Sequence, residues 1–369
     1  MRRSLKSIFY LFLVLLLLAG LVWALWIPSA QTPGYRFVTA WGGKGDGPGQ
    51  FDDPTGIFVT ASEVYVSDAR NGRIQVFDHH GRFLRQLGHQ GEGPGGLGRP
   101  MHLTLAGGEL YVADYWNDRI QVFDPAGPFL RSIGRPGKGP GEFNAPDGVA
   151  VAANGDLLVS DFYNQRVQRL RADGTFIRQW GETGRTGLTG GRFNYPTDLV
   201  LAADGRLYVA DGYNDRIQLF APDGRYLRRW GGPLGLNVSG PFNGWFRTVS
   251  GIALDGRGHL YAADFHNQRI QVFDSKGKFL AKFGIKGNGS GQFDRVIDVA
   301  PSPDGDLFAV DYGNNRIQRW TLATKGPRII GIRKGRNNEY QENILINHGA
   351  DGAAAQWDAE RTGGCDGGL

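Results

Sequence analysis

The 369-residue chain contains a single cysteine, Cys365, and two methionines. One cysteine excludes an internal disulfide framework and any zinc module built on several thiolates. Charge of one sign is scarce as well, because 41 Lys/Arg face 36 Asp/Glu for a net +5. Beyond residue 323 six basic residues cancel six acidic ones, and residues 1–7 carry +3, so the intervening chain keeps only +2. Nucleic-acid partners select a stronger, clustered basic excess, so none is expected here. Long apolar runs are absent but for one, and no helical periodicity follows it.

That one run is Ile8 to Trp26, uncharged throughout and preceded by Arg2, Arg3 and Lys6. It exceeds the usual signal-peptide core of about 7–15 residues and approaches the roughly 20 needed to span a bilayer. Val22-Trp23-Ala24 and Pro28-Ser29-Ala30 are poor cleavage sites. The reading is an uncleaved signal anchor: n-region 1–7 in the cytoplasm, transmembrane helix 8–26 and linker 27–34. Upstream positive charge then puts everything downstream outside the cytoplasm, in a periplasm or on the cell surface.

What the chain has in quantity is glycine, 58 residues, and a repeat. An Asp, two variable residues, an Asn, one more residue and then Arg-Ile/Val-Gln recur from Asp68, Asp114, Asp161, Asp211, Asp264 and Asp311. The matching Arg73, Arg119, Arg166, Arg216, Arg269 and Arg316 stand 46, 47, 50, 53 and 47 residues apart. Within a unit, such as residues 43–88, four short β-branched or aromatic runs are separated by Gly, Asn, Asp and Pro. That is strand punctuation. A period near fifty residues in short strands predicts an all-β, six-bladed β-propeller of four-stranded antiparallel blades. The last unit lacks its fourth strand after Trp320, while a matching run, Tyr35–Gly42, precedes the first. Residues 35–42 are therefore expected to close the ring from the N-terminal side, over a propeller spanning 35–323. The tail, 324–369, is polar, Gly- and Ala-rich and reads as disordered.

At each repeat the Asp ends the second strand and the Arg opens the third, so opposite charges face across a hairpin, a contact of about 0.2–1 kcal/mol. The intervening Asn (71, 117, 164, 214, 267, 314) suits a left-handed turn. These pairs read as blade construction. The Gly strings 43–49 and 134–141 lead into strands, not helix N-termini, so they make no phosphate cradle.

The repeats resemble NHL repeats over residues 35–320, in their Val/Ala-Asp…Asn-x-Arg-Ile-Gln-Val-Phe core and Gly-x-Phe…Pro entry. The resemblance implies a propeller and a wide range of roles, from RNA-binding domains of ubiquitin ligases to sensor domains of bacterial kinases and the peptidyl-hydroxyglycine amidating lyase. In that lyase, the resemblance implies, zinc-binding His residues directly follow the Pro that opens the inner strand. Here those positions hold Thr55, Met101, Asp147, Thr197, Ser250 and Ile297. None is His, and that metal site does not transfer. One position further on stand Gly56, His102, Gly148, Asp198, Gly251 and Asp298. Three polar groups on alternate blades, His102, Asp198 and Asp298, make a candidate divalent-metal set and would support a metal-dependent lyase or hydrolase of the lyase/lactonase-like propeller type. The alternative is that the two Asp tie down loops and that His102 is a satisfied rim residue.

Strand alternation places the second-to-third strand loops and the Gly-rich inter-blade loops on one face. Those loops carry Tyr115, Trp116, Phe162, Tyr163, Tyr213, Phe265, His266 and Tyr312. Aromatic side chains around a shared mouth suit binding of a protein, peptide or glycan. The leading expectation is a non-catalytic, membrane-tethered binding scaffold with no assigned catalytic residue and no cofactor.

Overall fold

The computed structural model describes residues 2–323. The predicted disordered tail, 324–369, and Cys365 with it, lie outside the described residues. A helix, Arg2–Trp26, opens the chain. Its side chains from Ile8 to Leu18 are solvent-exposed, not packed on the sheets. Side chains of this helix are described only for residues 6–21, and among the described residues no helix is long and apolar enough to cross a membrane.

Six four-stranded antiparallel sheets follow, the blades of a closed propeller. Their inner strands are Pro54–Val59, Pro100–Ala106, Pro146–Val151, Pro196–Leu201, Val249–Leu254 and Val296–Pro301. Proline is tolerated at the first position of four of them because that residue need not donate to the ladder. The sixth sheet runs in the order Tyr35–Gly42, Arg316–Leu322, Leu307–Asp311, Val296–Pro301. The N-terminal strand thus closes the ring, with Tyr35 opposite Leu322 and Gly42 opposite Arg316. Phe37 sets its ring edge-on to Trp320, and the Tyr35 hydroxyl lies 3.0 Å from that of Tyr261 in blade 5. Closure by a strand from the other end of the fold keeps Arg316–Leu322 from being an unpaired edge.

Even the linker before this strand is held. The Gln31 amide donates to the Leu280 carbonyl (2.7 Å), and Asn243 Nδ2 donates to the Pro28 carbonyl (2.9 Å). Asn243 lies in the loop entering blade 5 and Leu280 near the start of that blade's outer strand, so the linker runs along the outer side of blade 5 before Tyr35 enters the sheet opposite Leu322. Between the blades the core is built of buried aliphatic and aromatic side chains, for example Tyr261, Ile270, Phe293, Val296, Leu307 and Trp320 between blades 5 and 6.

The repeated signature works differently from a simple cross-strand ion pair. Asp211 is fully buried, and its carboxylate accepts from the Asn194 amide (2.7 Å), Asn214 Nδ2 (2.9 Å), Arg216 Nε (2.7 Å) and Gln218 Nε2 (2.9 Å). Arg216 and Gln218 also donate to the Arg192 carbonyl of the incoming loop, at 2.9 and 2.7 Å. The same hub recurs at Asp68, where Asn71, Arg73 and Gln75 converge. Each hub therefore ties a hairpin to the Gly-rich loop before it. The expected value of a surface pair is too small: breaking one partner of a buried pair costs about 3–5 kcal/mol, because the other charge is stranded.

The Asn is also not the left-handed residue. That conformation falls one position later, at Gly72, Asp118, Gln165, Asp215, Gln268 and Asn315, with φ between 50° and 60°. The Asn keeps ordinary φ because its amide is committed to the Asp and to a glycine carbonyl, as in Asn214 Nδ2 to Gly187 O (2.9 Å). In five of the six, the left-handed residue reaches the next blade. Asp118 accepts from Ala145 N, Gln165 from Tyr195 N, Asp215 from Thr248 N, Gln268 from Arg295 N and Asn315 from Asp53 N. Gly72 has no side chain to do this. An added Cβ there would meet Leu97 O at 2.6 Å and Gln90 Cα at 2.7 Å.

Candidate functional site

Six inner strands converge on the axis, too close together for six side chains at one level. The alternation Gly56, His102, Gly148, Asp198, Gly251, Asp298 resolves this crowding. A Cβ on Gly56 would stand 2.8 Å from His102 Cα, one on Gly148 2.8 Å from Asp198 Cα, and one on Gly251 2.3 Å from Asp298 Oδ1. Each glycine makes room for the polar group of the following blade. Three glycines thus admit three functional side chains.

Those three meet. His102 Nε2 lies 3.9 Å from Asp198 Oδ2 and 3.9 Å from Asp298 Oδ2, and all three residues are at least 95 % buried. The carboxylates are fixed by backbone donors. Asp198 accepts from Leu199 N and, across the blade boundary, from Ile252 N, both at 2.8 Å. Asp298 accepts from Val299 N (2.8 Å) and, closing the ring, from Ile57 N (2.9 Å). Loop anchoring and convergence on the axis are therefore both true of these Asp residues. His102 is not a rim residue: it sits at the floor of the channel. Its Nδ1 faces the Asp147 carbonyl and carboxylate, each at 3.3 Å, while its Nε2 is buried with no hydrogen-bond partner.

Electrostatics follow from this packing. Burial pulls the His102 pKa down, but the facing Asp198, Asp298 and Asp147 carboxylates outweigh it and hold it well above the ordinary value. Burial raises Asp147 and Asp198 in turn. Asp298 is pushed up to about 7 by burial and the Asp198 charge, against the pull of His102. Above this floor a cavity of 560 Å³ opens toward the turn face, between the inner-strand ends and the turns Leu254–Arg257 and Pro301–Gly305.

The opposite, loop face carries the aromatics. Tyr115, Phe162, Tyr163 and Tyr213 join with Tyr195 in one cluster across blades 2–4. Phe162 lies 4.8 Å from Tyr195, Tyr195 5.0 Å from Tyr213, and Tyr115 5.9 Å from Phe162, between ring centroids. Tyr163 (50 %), Tyr213 (53 %) and Trp116 (58 %) remain exposed, and Arg99 stacks over the Trp116 ring at 5.5 Å. Phe265, His266 and Tyr312 form a separate group on blades 5 and 6. The predicted aromatics thus form two patches, with a gap at blade 1, where Ala69 and Arg70 take their place.

Sequence reasoning missed Tyr195 and Asp147. Tyr195 occupies the left-handed position just before an inner strand (φ 53°), outside the hairpin loops where aromatics were sought. Asp147 stands in the very series compared with the lyase's zinc positions, and only the fold shows that it receives His102.

Comparison with known proteins agrees with this architecture. A 6-bladed beta-propeller family model matches residues 96–179, and NHL repeats match at residues 193–220 and 246–273. The chain thus carries NHL repeats within a six-bladed propeller. Similar solved structures include a protein of unknown function from Bacteroides thetaiotaomicron (16 % identity, 79 % of this chain and 76 % of that one, TM-score 0.61). A gluconolactonase from Xanthomonas campestris is similar at 16 % identity (80 % and 98 % covered, TM-score 0.55). A catalytically inactive virginiamycin B lyase from Staphylococcus aureus, solved with quinupristin, is similar at 19 % identity (77 % and 83 %, TM-score 0.51). At such identities the likeness is one of fold. No functionally curated protein matches the chain.

Proposed function

We propose that this protein is a membrane-tethered, extracytoplasmic NHL propeller whose loop face binds a protein, peptide or glycan ligand. The observation that carries the reading is the contiguous aromatic cluster of blades 2–4, from which Tyr163 and Tyr213 project half-exposed, with the exposed Trp116 next to Tyr115 in the chain. Rigid aromatic side chains bury large area at small entropic cost, which is why they dominate binding hot spots. Arg99, held over Trp116 and 3.9 Å from Asp53, adds a fixed cation at the patch edge.

The tether supports the same reading. Ile8 to Trp26 is uncharged, lies within one helix and follows three basic residues, the pattern of an anchor with its N-terminus in the cytoplasm. The linker then lies along the outer side of blade 5, beside Asn243 and Leu280. The test is crosslinking capture from intact membranes with the native chain and with Trp116→Ala/Tyr163→Ala. Loss of partner capture at unchanged melting temperature is expected; equal capture by both would remove the loop face from the proposal.

A second reading, a metal-dependent lyase or hydrolase, has one observation in its favour, the bare Nε2 of His102 between two carboxylates.

A further inference from the structure

We infer that the channel floor is a divalent-cation site of the zinc or manganese class, with His102 Nε2, Asp198 Oδ2 and Asp298 Oδ2 as its three protein ligands and Asp147 orienting the histidine. This inference is independent of the loop-face reading, since it concerns the axis and the opposite mouth of the ring.

Four features of the site lead there. First, the donor atoms converge: they lie within 4.8 Å of one another, on alternate blades whose glycine neighbours leave the space between them clear. Second, Nε2 is buried and unpartnered, although two carboxylates face it. At 3.9 Å neither is within hydrogen-bond reach. An imidazolium proton alone would draw one carboxylate in. Bonds of about 2.0–2.2 Å to a tetrahedral ion would instead set the donors about 3.3–3.6 Å apart, a small inward adjustment. Third, Asp147 stands against Nδ1, so the Nδ1–H proton has an acceptor and the Nε2 lone pair is directed inward. A carboxylate behind a ligating histidine is the usual outer partner of such sites. Fourth, both Asp residues are already immobilised by two backbone N–H donors each, which leaves lone pairs on Oδ2 for an ion and removes the entropy of ordering them.

Three protein ligands leave a position open, and the cavity lies on that side. Its wall is formed by Phe58, Thr104, Ala150, Val200, Ala253 and Ala300, two residues beyond the axial ring on each inner strand. Arg257 and Ser302 stand among the turn residues at its mouth. An apolar shaft with a cation at its base fits a slender small molecule that ends in an anionic oxygen donor.

The experiment uses the full chain purified in detergent, stripped with chelator and titrated with Zn²⁺, Mn²⁺ and, as a spectroscopic reporter, Co²⁺. One equivalent per chain is expected, with Co²⁺ ligand-field bands and a raised melting temperature on binding. His102→Gln is expected to abolish tight uptake, and Asp147→Asn to weaken it about 10–100-fold while leaving the stoichiometry at one. Ser250→Ala, one residue before the axial ring on its inner strand and outside the ligand set, should bind like the native chain. Circular dichroism and the metal-free melting curve establish that each variant is folded. If His102→Gln proves unfolded, the Asp147→Asn shift decides. No stoichiometric uptake by the native chain, or equal uptake by folded His102→Gln, overturns the assignment.

Discussion

The hairpin hubs and the axial ring are both built from Asp with basic partners, yet they are arranged on different symmetries. All six hubs carry the same Asp, Asn, Arg and Gln, bound to the same loop carbonyls, whatever the surrounding sequence. The axial positions do not repeat. Glycine alternates with a polar residue, and one of the three polar residues is a histidine. Full sixfold repetition is what blade construction requires, since every blade has the same loop to hold. A departure from it needs a different cause, and at the axis crowding explains the glycines but not the choice of His102. Where a repeat protein breaks its own pattern in a buried place, the break marks the candidate site.

The first way to sharpen this comparison is to break a hub. Arg216 and Asp211 are fully buried, so Arg216→Ala strands the Asp211 carboxylate and frees the 187–192 loop. The expected cost is about 3–5 kcal/mol in urea denaturation. Arg119, 16 % exposed in its side chain, should lose measurably less on the same substitution. Equal losses at both would show that burial does not set the hub's value.

A smaller effect is expected at the axis. Gly251 has ordinary φ, so space alone dictates its identity. An alanine there meets Asp298 Oδ1 at 2.3 Å and Ile297 O at 2.8 Å. Overpacking of this kind costs about 1–3 kcal/mol. Gly251→Ala should therefore lower the melting temperature and displace Asp298, while Gly256→Ala in the nearby exposed turn, where a Cβ meets nothing within 4 Å, should do neither.

Much of this was legible in the sequence. The Asp-to-Arg spacing gave the blade count, and the orphan run Tyr35–Gly42 gave the closure, because strand type and period are local properties. The series that placed His102, Asp198 and Asp298 on alternate blades came from the same register. The rest depends on contacts between blades. The reach of Asp118 or Gln165 to the next blade's amide has no local signature. Nor does the pairing of Asp147 with His102, which are 45 residues apart in the chain. The division of the aromatics into two patches also needed the fold, since Tyr195 joins the larger one from a different loop.

The smallest expected effect tests the outer rim, where repetition fades without any crowding to explain it. Blades 1 and 2 share an outer triad, Glu63–Arg85–Tyr65 and Glu109–Arg131–Tyr111, that later blades lack. Arg131 Nη1 donates to Glu109 Oε1 at 2.6 Å, and Tyr111 donates to Oε2 at 2.7 Å. The Arg131 hydrogen bonds lower the Glu109 pKa to about 2. A carboxylate lowered in the folded state stabilises it above the unfolded value near 4.5, and that contribution fades as pH falls toward 2. Both side chains are about one-third exposed, so solvent screening holds the pair to about 0.2–1 kcal/mol. Glu109→Gln should therefore cost no more than this at pH 7, and the difference from the native chain should shrink between pH 4.5 and 2. A loss several times larger, or one independent of pH, would put the rim triad with the hubs as a structural requirement rather than a local addition.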